Sequence, residues 1–149
     1  MKTLIAFPQI GANFTPNGCK STENIYQKLL IKAQLSLYQT ITRIAYDYDK
    51  IDSALALSFA AYKFSTTKIE AENYPVNTEK KVTLQTLLNN VNDNTCTLFI
   101  AEPWLIQELA LNAGHAIESP SYGESGKLDA IRFNINGDDV KIIVLTINI

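Results

Sequence analysis

The stretch that decides the reading of this chain is Cys96-Thr97-Leu98-Phe99-Ile100-Ala101-Glu102-Pro103-Trp104-Leu105-Ile106-Gln107-Glu108-Leu109-Ala110-Leu111-Asn112-Ala113-Gly114-His115. Thr97 to Ala101 is a compact apolar run with the length of a buried strand. Glu102-Pro103 marks a turn, and Trp104 to Asn112 has the periodicity of a helix that stops at Gly114. A strand leading through a turn into a helix is the repeating unit of α/β folds.

Working outward, the C-terminal end carries the clearest pattern. Leu128 to Ile135 alternates, Asn136-Gly137-Asp138 is a hairpin turn, and Val140 to Ile147 returns as a strand. Ile142-Ile143-Val144-Leu145 is apolar on both faces, which predicts a central strand covered on both sides. Ala116 to Glu118 is expected as a short strand, and 119–126 as a serine- and glycine-rich loop.

Toward the N-terminus, Lys2 to Phe7 reads as a strand. Its apolar run is cut short by Pro8 and Gly11, which is too early for the hydrophobic segment of a signal peptide. The residues from Pro8 to Cys19 are loop, with prolines and glycines throughout. Ser21-Thr22-Glu23 opens a helix. Tyr26, Leu30, Ala33, Leu37, Ile41, Ile44 and Tyr48 then recur every three or four residues and predict one long helix of about 25 residues, although the β-branched Thr40, Ile41, Thr42 and Ile44 weaken its end. The segment 51–64 fits both periods. Ile51, Leu55, Phe59 and Tyr62 suit a helix, alternation from Leu55 suits a strand, and the alanines favour helix. The stretch 65–77 is loop or edge strand. Thr78-Glu79 opens another helix with the stripe Leu84, Leu87, Leu88 and Val91.

These elements predict a single domain over 1–149, of α/β or α+β class. Its mixed sheet has about five strands, ends in an antiparallel hairpin, and packs against a long N-terminal helix and two or three shorter ones. A chain of 149 residues buries a core without disulfides or metal. The net charge of −2 gives it no general attraction to nucleic acid or anionic membrane. Its distribution is uneven, with ten Lys/Arg against seven Asp/Glu over residues 1–81 and three against eight over 82–149. A phosphate-bearing ligand therefore sits more easily on the first half. No stretch reaches the apolar length of a membrane span. With no export signal, Cys19 and Cys96 are expected to be reduced thiols in a cytoplasmic protein.

Four constellations bear on chemistry. Glu102 stands where a strand ends and a helix begins, the place where open α/β sheets collect ligands; its plainer role is to favour the helix N-terminus by its charge. His115 is the sequence's single histidine, the side chain suited to proton transfer near neutrality, or else a cap behind the helix-ending Gly114. Cys96 precedes the strand that Glu102 follows, so strand length separates the two by about 20 Å and they cannot act together. Tyr122-Gly123-Glu124-Ser125-Gly126-Lys127 is similar to a phosphate-binding loop. It has Ser121 in place of the first glycine and Leu128 in place of the hydroxyl, and it leads into a strand. What remains is a covering loop in which Ser119, Ser121, Tyr122, Ser125 and Lys127 contact a polar ligand.

Two further motifs fail. Ser65-Thr66-Thr67-Lys68 has the S-x-x-K spacing of penicillin-recognising enzymes without their S-D-N or K-T-G partners. Asp129 and the hairpin have the look of PD-(D/E)xK nucleases, but Leu145-Thr146-Ile147 stands where the metal-holding Glu-x-Lys is required. One histidine and two scattered cysteines exclude a structural zinc site, and no cofactor is implied. Because no catalytic set is complete, the leading expectation is a small non-catalytic binding or interaction protein, of inhibitor, immunity or ligand-sequestering type. The alternative is a small enzyme acting on a polar or phosphorylated small molecule with Glu102 and His115 beneath the 119–127 loop. The expected partner is another protein or a small polar ligand, not a membrane or nucleic acid. A homodimer pairing the long helix across a two-fold axis is the third arrangement.

Overall fold

In the computed structural model, the described residues are 1–10, 19–35, 39–65, 67–76, 81–121 and 126–148, with the side chains of 19–21 outside the description. Strands β1 (Lys2–Pro8), β2 (Thr40–Tyr46), β3 (Glu70–Asn73), β4 (Thr95–Ala101), β5 (Lys127–Asn136) and β6 (Asp139–Asn148) form one sheet in the order β3-β2-β4-β1-β5-β6. β3, β2, β4 and β1 run parallel to one another, β5 pairs antiparallel with β1, and β6 pairs antiparallel with β5. Helices α1 (Cys19–Ala33) and α2 (Ile51–Tyr62) share one apolar core with the sheet, while α3 (Leu84–Leu87) and α4 (Pro103–Asn112) share the core on the other face. The fold is therefore a three-layer α/β sandwich.

Parallel crossovers are right-handed, so the direction of travel across the sheet fixes the face that each helix covers. The chain moves one way from β1 through β2 to β3 and places α1 and α2 on one face. It reverses from β3 through β4 to β5, and α3 and α4 fall on the other. β1 and β4 are neighbours whose carboxyl ends, Pro8 and Ala101, lead to opposite faces; such a switch point is where open α/β sheets place their ligand crevice.

The strand–turn–helix unit forms as expected, as do the N-terminal strand, the helix at 51–62, the edge strand near 70 and the terminal hairpin. Four expectations are corrected. The first helix has 15 residues rather than about 25, and Thr40–Tyr46 is a strand. The β-branched residues of that segment favour the pleated conformation. Its helix-like spacing arises because a register shift between Ile41 and Arg43 turns both Ile41 and Ile44 into the same core. The helix expected from Thr78 is, among the described residues, the single turn of α3, capped reciprocally by Thr83 and Thr86.

Ala116–Glu118 is not a strand. The mixed sheet, expected with about five strands, has six, and β6 is its edge rather than its centre. Ile143 and Val144 are 45% and 51% exposed, so apolar character on both faces of this strand does not signal cover on both faces. No described helix is long and apolar enough to cross a membrane.

Candidate functional site at the carboxyl edge of the sheet

The crevice between β1 and β4 is furnished by three segments. β4 ends at Ala101, and Glu102 takes extended backbone geometry (φ −63°, ψ 145°) before Pro103 begins α4. Its side chain makes no capping bond to the helix; instead its Oε1 lies 3.3 Å from the Nζ of Lys50. Lys50 closes the short 3-10 turn Tyr48–Lys50 that joins β2 to α2. Its Nζ also donates to Oδ1 and Oδ2 of Asp49, at 3.1 and 3.3 Å. Beyond β1, the Ser53 hydroxyl bridges the backbone N–H and C=O of Ile10 at 3.3 Å each, and the Tyr26 hydroxyl donates to the Pro8 carbonyl at 2.9 Å. Together these bonds pin α1 and α2 to the chain leaving β1.

Lys50 is the unusual residue. Its side chain is only 7% exposed, whereas its carboxylate partners Asp49 and Glu102 are 71% and 45% exposed. A lysine is seldom sealed unless it is paired. Burial by itself lowers the ammonium pKa, but hydrogen bonds to Asp49 and Glu102, with their negative charge, more than reverse this and hold it above 10.5. The result is a permanently charged donor fixed at the sheet edge, beside a carboxylate that solvent reaches. Tyr26 is fully buried, and burial raises its phenol well above the ordinary 10, so it stays protonated and structural.

Of the residues singled out from sequence, Glu102 sits in this crevice. The start of β5, with Lys127, comes to the same edge: β5 runs antiparallel to β1, with Ala6 opposite Ile131, so it begins past the end of β1. Ser119 is exposed, and Lys127 opens β5 with its side chain exposed. The Ser121 backbone is locked to Asp129 in both directions, N–H to Oδ2 at 2.9 Å and C=O from N–H at 2.8 Å. Asp129 also accepts from the Thr146 hydroxyl at 2.6 Å, so its carboxylate ties Ser121 to β6. Tyr122 and Ser125 lie outside the described residues.

His115 is not brought to this site. Its N–H bonds to the Ala110 carbonyl at 2.9 Å and that of Gly114 to Leu111 at 3.0 Å, with Gly114 at φ +88°. This is the paired-bond helix stop that requires a left-handed residue. The imidazole Nε2 is 2.7 Å from the Val140 carbonyl. Val140 pairs with Ile135, which pairs with Lys2, at the opposite edge of the sheet. The ten residues of α4, about 15 Å of helix, separate His115 from Glu102. Cys96 is free, fully buried at the far end of β4, and burial pushes its thiol up to about 12, with Arg132 acting weakly in the other direction.

A cleft of about 740 Å³ lies at the same far edge, between α3, the end of α4 and the β5–β6 turn. Among the described residues, neither of the buried charged ones, Lys50 and Arg132, lines it. The carboxyl edge, with its sealed ammonium and the chain divergence, is the better candidate. Among the described residues no cluster of His, Cys, Asp and Glu is arranged to hold a metal ion.

Lys50 was missed in the sequence because the long-helix reading ran through Tyr48 and left it on a helix end. The available signal was a lysine between a β-branched run and an alanine-rich helix, the junction where a strand hands over to a crossover.

No family model and no curated protein matches the sequence. Solved structures do match in fold. One is a phosphoglycerate mutase from Plasmodium falciparum, with a TM-score of 0.58 and 16% identity, covering 96% of this chain and 87% of that one. Another is a protein of Agrobacterium tumefaciens assigned as the phosphohistidine phosphatase SixA, with a TM-score of 0.56 and 9% identity, covering 96% and 97% of the two chains. At these identities the likeness is one of fold. It nevertheless overturns the expectation of a non-catalytic binding or protein–protein interaction module, which rested only on incomplete motifs. The architecture, over nearly the whole chain, is one carried by a mutase and a phosphatase.

Proposed function

We propose that the chain is a small enzyme acting on a phosphorylated small molecule at the crevice between β1 and β4. The observation that carries this reading is the sealed Lys50 ammonium paired with solvent-reachable Glu102 at the point where the crossovers diverge. The names of the two similar structures supply the substrate class.

The charge balance sets how a phosphate enters. Lys50 with Asp49 and Glu102 sums to −1, so an anion does not simply add to the group. It replaces the Asp49 carboxylate, which is the more exposed partner and swings into water at little cost. Lys50 then neutralises charge on the phosphoryl oxygens, where a fixed cation in a partly dry site is most effective. Glu102 remains on the other side of Nζ as the proton-transfer group. It takes a proton from an attacking water as the new P–O bond forms and the ester P–O bond breaks. The departing alkoxide takes a proton from solvent water to become an alcohol, and Glu102, which solvent reaches, returns its proton to solvent.

The sequence holds one histidine and it lies at the other edge, so the chemistry of this crevice runs on carboxylate and ammonium. Lys127, two strands from β4 in the sheet order and therefore about 10 Å away, adds positive charge at the same edge. The fully buried free thiol of Cys96 supports a cytoplasmic setting for this reading.

The test is release of inorganic phosphate from a panel of phosphomonoesters, sugar phosphates and phosphoglycerates included. Glu102→Gln should lower kcat by about a hundredfold or more, and Lys50→Met should act mainly through KM. The absence of turnover across the panel, or full activity in Glu102→Gln, overturns the assignment.

A further inference from the structure

The outward face of α2 is apolar. Ile51, Leu55, Phe59 and Tyr62 are 43%, 50%, 54% and 53% exposed. The face turned to the sheet and to α1 is built from Ser53, Ala54, Ala56, Leu57, Ala60 and Ala61. This inverts the usual pattern, in which large apolar residues point inward and small or polar ones outward. The stripe continues beyond both helix ends through exposed Tyr48 and Phe64. Scattered exposed leucines are ordinary on a protein surface; a contiguous helical stripe is not.

We infer that this stripe is a homodimer interface, in which α2 of one copy packs antiparallel on α2 of a second copy across a two-fold axis. Two features select a second copy as the occupant. The first is area. A whole aromatic side chain offers about 150–250 Å², so the exposed fractions of these six residues amount to roughly 600–700 Å² per copy. A stable dimer needs about 800 Å² per partner, and the flanking polar residues of the helix make up the remainder.

The second feature is self-complementarity. An antiparallel register that sets Leu55 of one copy against Phe59 of the other also sets Ile51 against Tyr62, with each pair formed twice, as an isologous contact requires. The same register brings exposed Asp52 of each copy to the Lys63 end of its neighbour. Lys63 already holds Glu23 at 3.3 Å within its own chain and remains half exposed, so the two ends of the helix carry opposite charge. The stripe is on the outer layer, while Lys50 points inward between Tyr48 and Ile51. Pairing therefore leaves the crevice open and does not depend on its chemistry.

Sedimentation or light scattering on the wild-type chain should give twice the monomer mass of 16.6 kDa at micromolar concentration. Phe59→Glu should weaken association at least tenfold with an unchanged circular-dichroism spectrum, and with an unchanged urea midpoint when both proteins are compared at concentrations where they are monomeric, because Phe59 belongs to neither core cluster. Asp52→Lys should weaken it by a few-fold, and adding Lys63→Glu should restore it. A wild-type monomer at concentrations on the order of 100 µM overturns the inference. So does a dimer unmoved by Phe59→Glu, or a monomer carrying a co-purified apolar molecule in native mass spectra.

Discussion

The pairing at Lys50 is asymmetric, and the asymmetry is measurable. Lys50→Met retains the buried stem and removes the charge. It leaves Asp49 and Glu102 in contact with water, so the loss is that of a partly exposed ion pair, about 1 kcal/mol or less. The combined variant Asp49→Asn with Glu102→Gln does the opposite, because it leaves an ammonium that is 7% exposed without a counter-charge. Breaking a fully buried pair in this way costs about 3–5 kcal/mol. The exposure of the two carboxylates brings water to the edge of the pair and reduces this to about 2–3 kcal/mol. For a domain of this size that is a fall in Tm of about 5–10 °C.

Urea unfolding at neutral pH, with the slope constant between variants, reads the difference directly. Its pH dependence is a second check. In the wild-type chain the Lys50 pKa is held above 10.5, so its stabilisation is complete below 10.5 and is lost as pH rises through the folded value. In the double variant only burial acts, the folded pKa falls below 10.5, and the deficit shrinks as pH rises through that lowered value. A double variant within about 0.5 kcal/mol of wild type, or one more stable than Lys50→Met, would refute the view that the ammonium is sealed and held by these two carboxylates.

Two other outcomes follow from the placement of single residues. His115→Ala should leave turnover unchanged while lowering stability by about 1 kcal/mol, the worth of its bond to the Val140 carbonyl; loss of activity in a folded His115→Ala protein would contradict its position at the far edge. Cys96 should resist thiol reagents in the native state. Because its pKa rises from 9.0 unfolded to about 12 folded, the unfolded chain loses that proton first as pH increases. Stability should then fall by about 1.4 kcal/mol per pH unit above 9, a slope that Cys96→Ala removes. A native thiol labelled as fast as free cysteine would show that β4 is not covered as described.

The sequence by itself determined the local elements whose signals are short-range. Thr97–Ala101 followed by Glu102-Pro103, the Asn136-Gly137-Asp138 turn, and the Gly114 stop each act through backbone preferences of a few neighbouring residues, so they read correctly without a fold. Glu102 was legible for the same reason, since a strand-to-helix junction can be recognised along the chain. Periodicity misled where tertiary packing changes its meaning. The three-residue spacing of Ile41 and Ile44 mimicked a helix because a bulge in β2 turns both inward. The stripe of α2 correctly marked a helix, yet it faces outward, because small alanines let that helix approach α1 and the sheet closely. β6 is apolar on both faces and still lies at the edge, since strand order depends on which strands pair and not on any one strand's composition. Lys50 joined Glu102, and His115 was carried to the opposite edge, through the crossover topology alone: residues far apart in sequence meet only where right-handed connections bring the carboxyl ends of β1, β2 and β4 together.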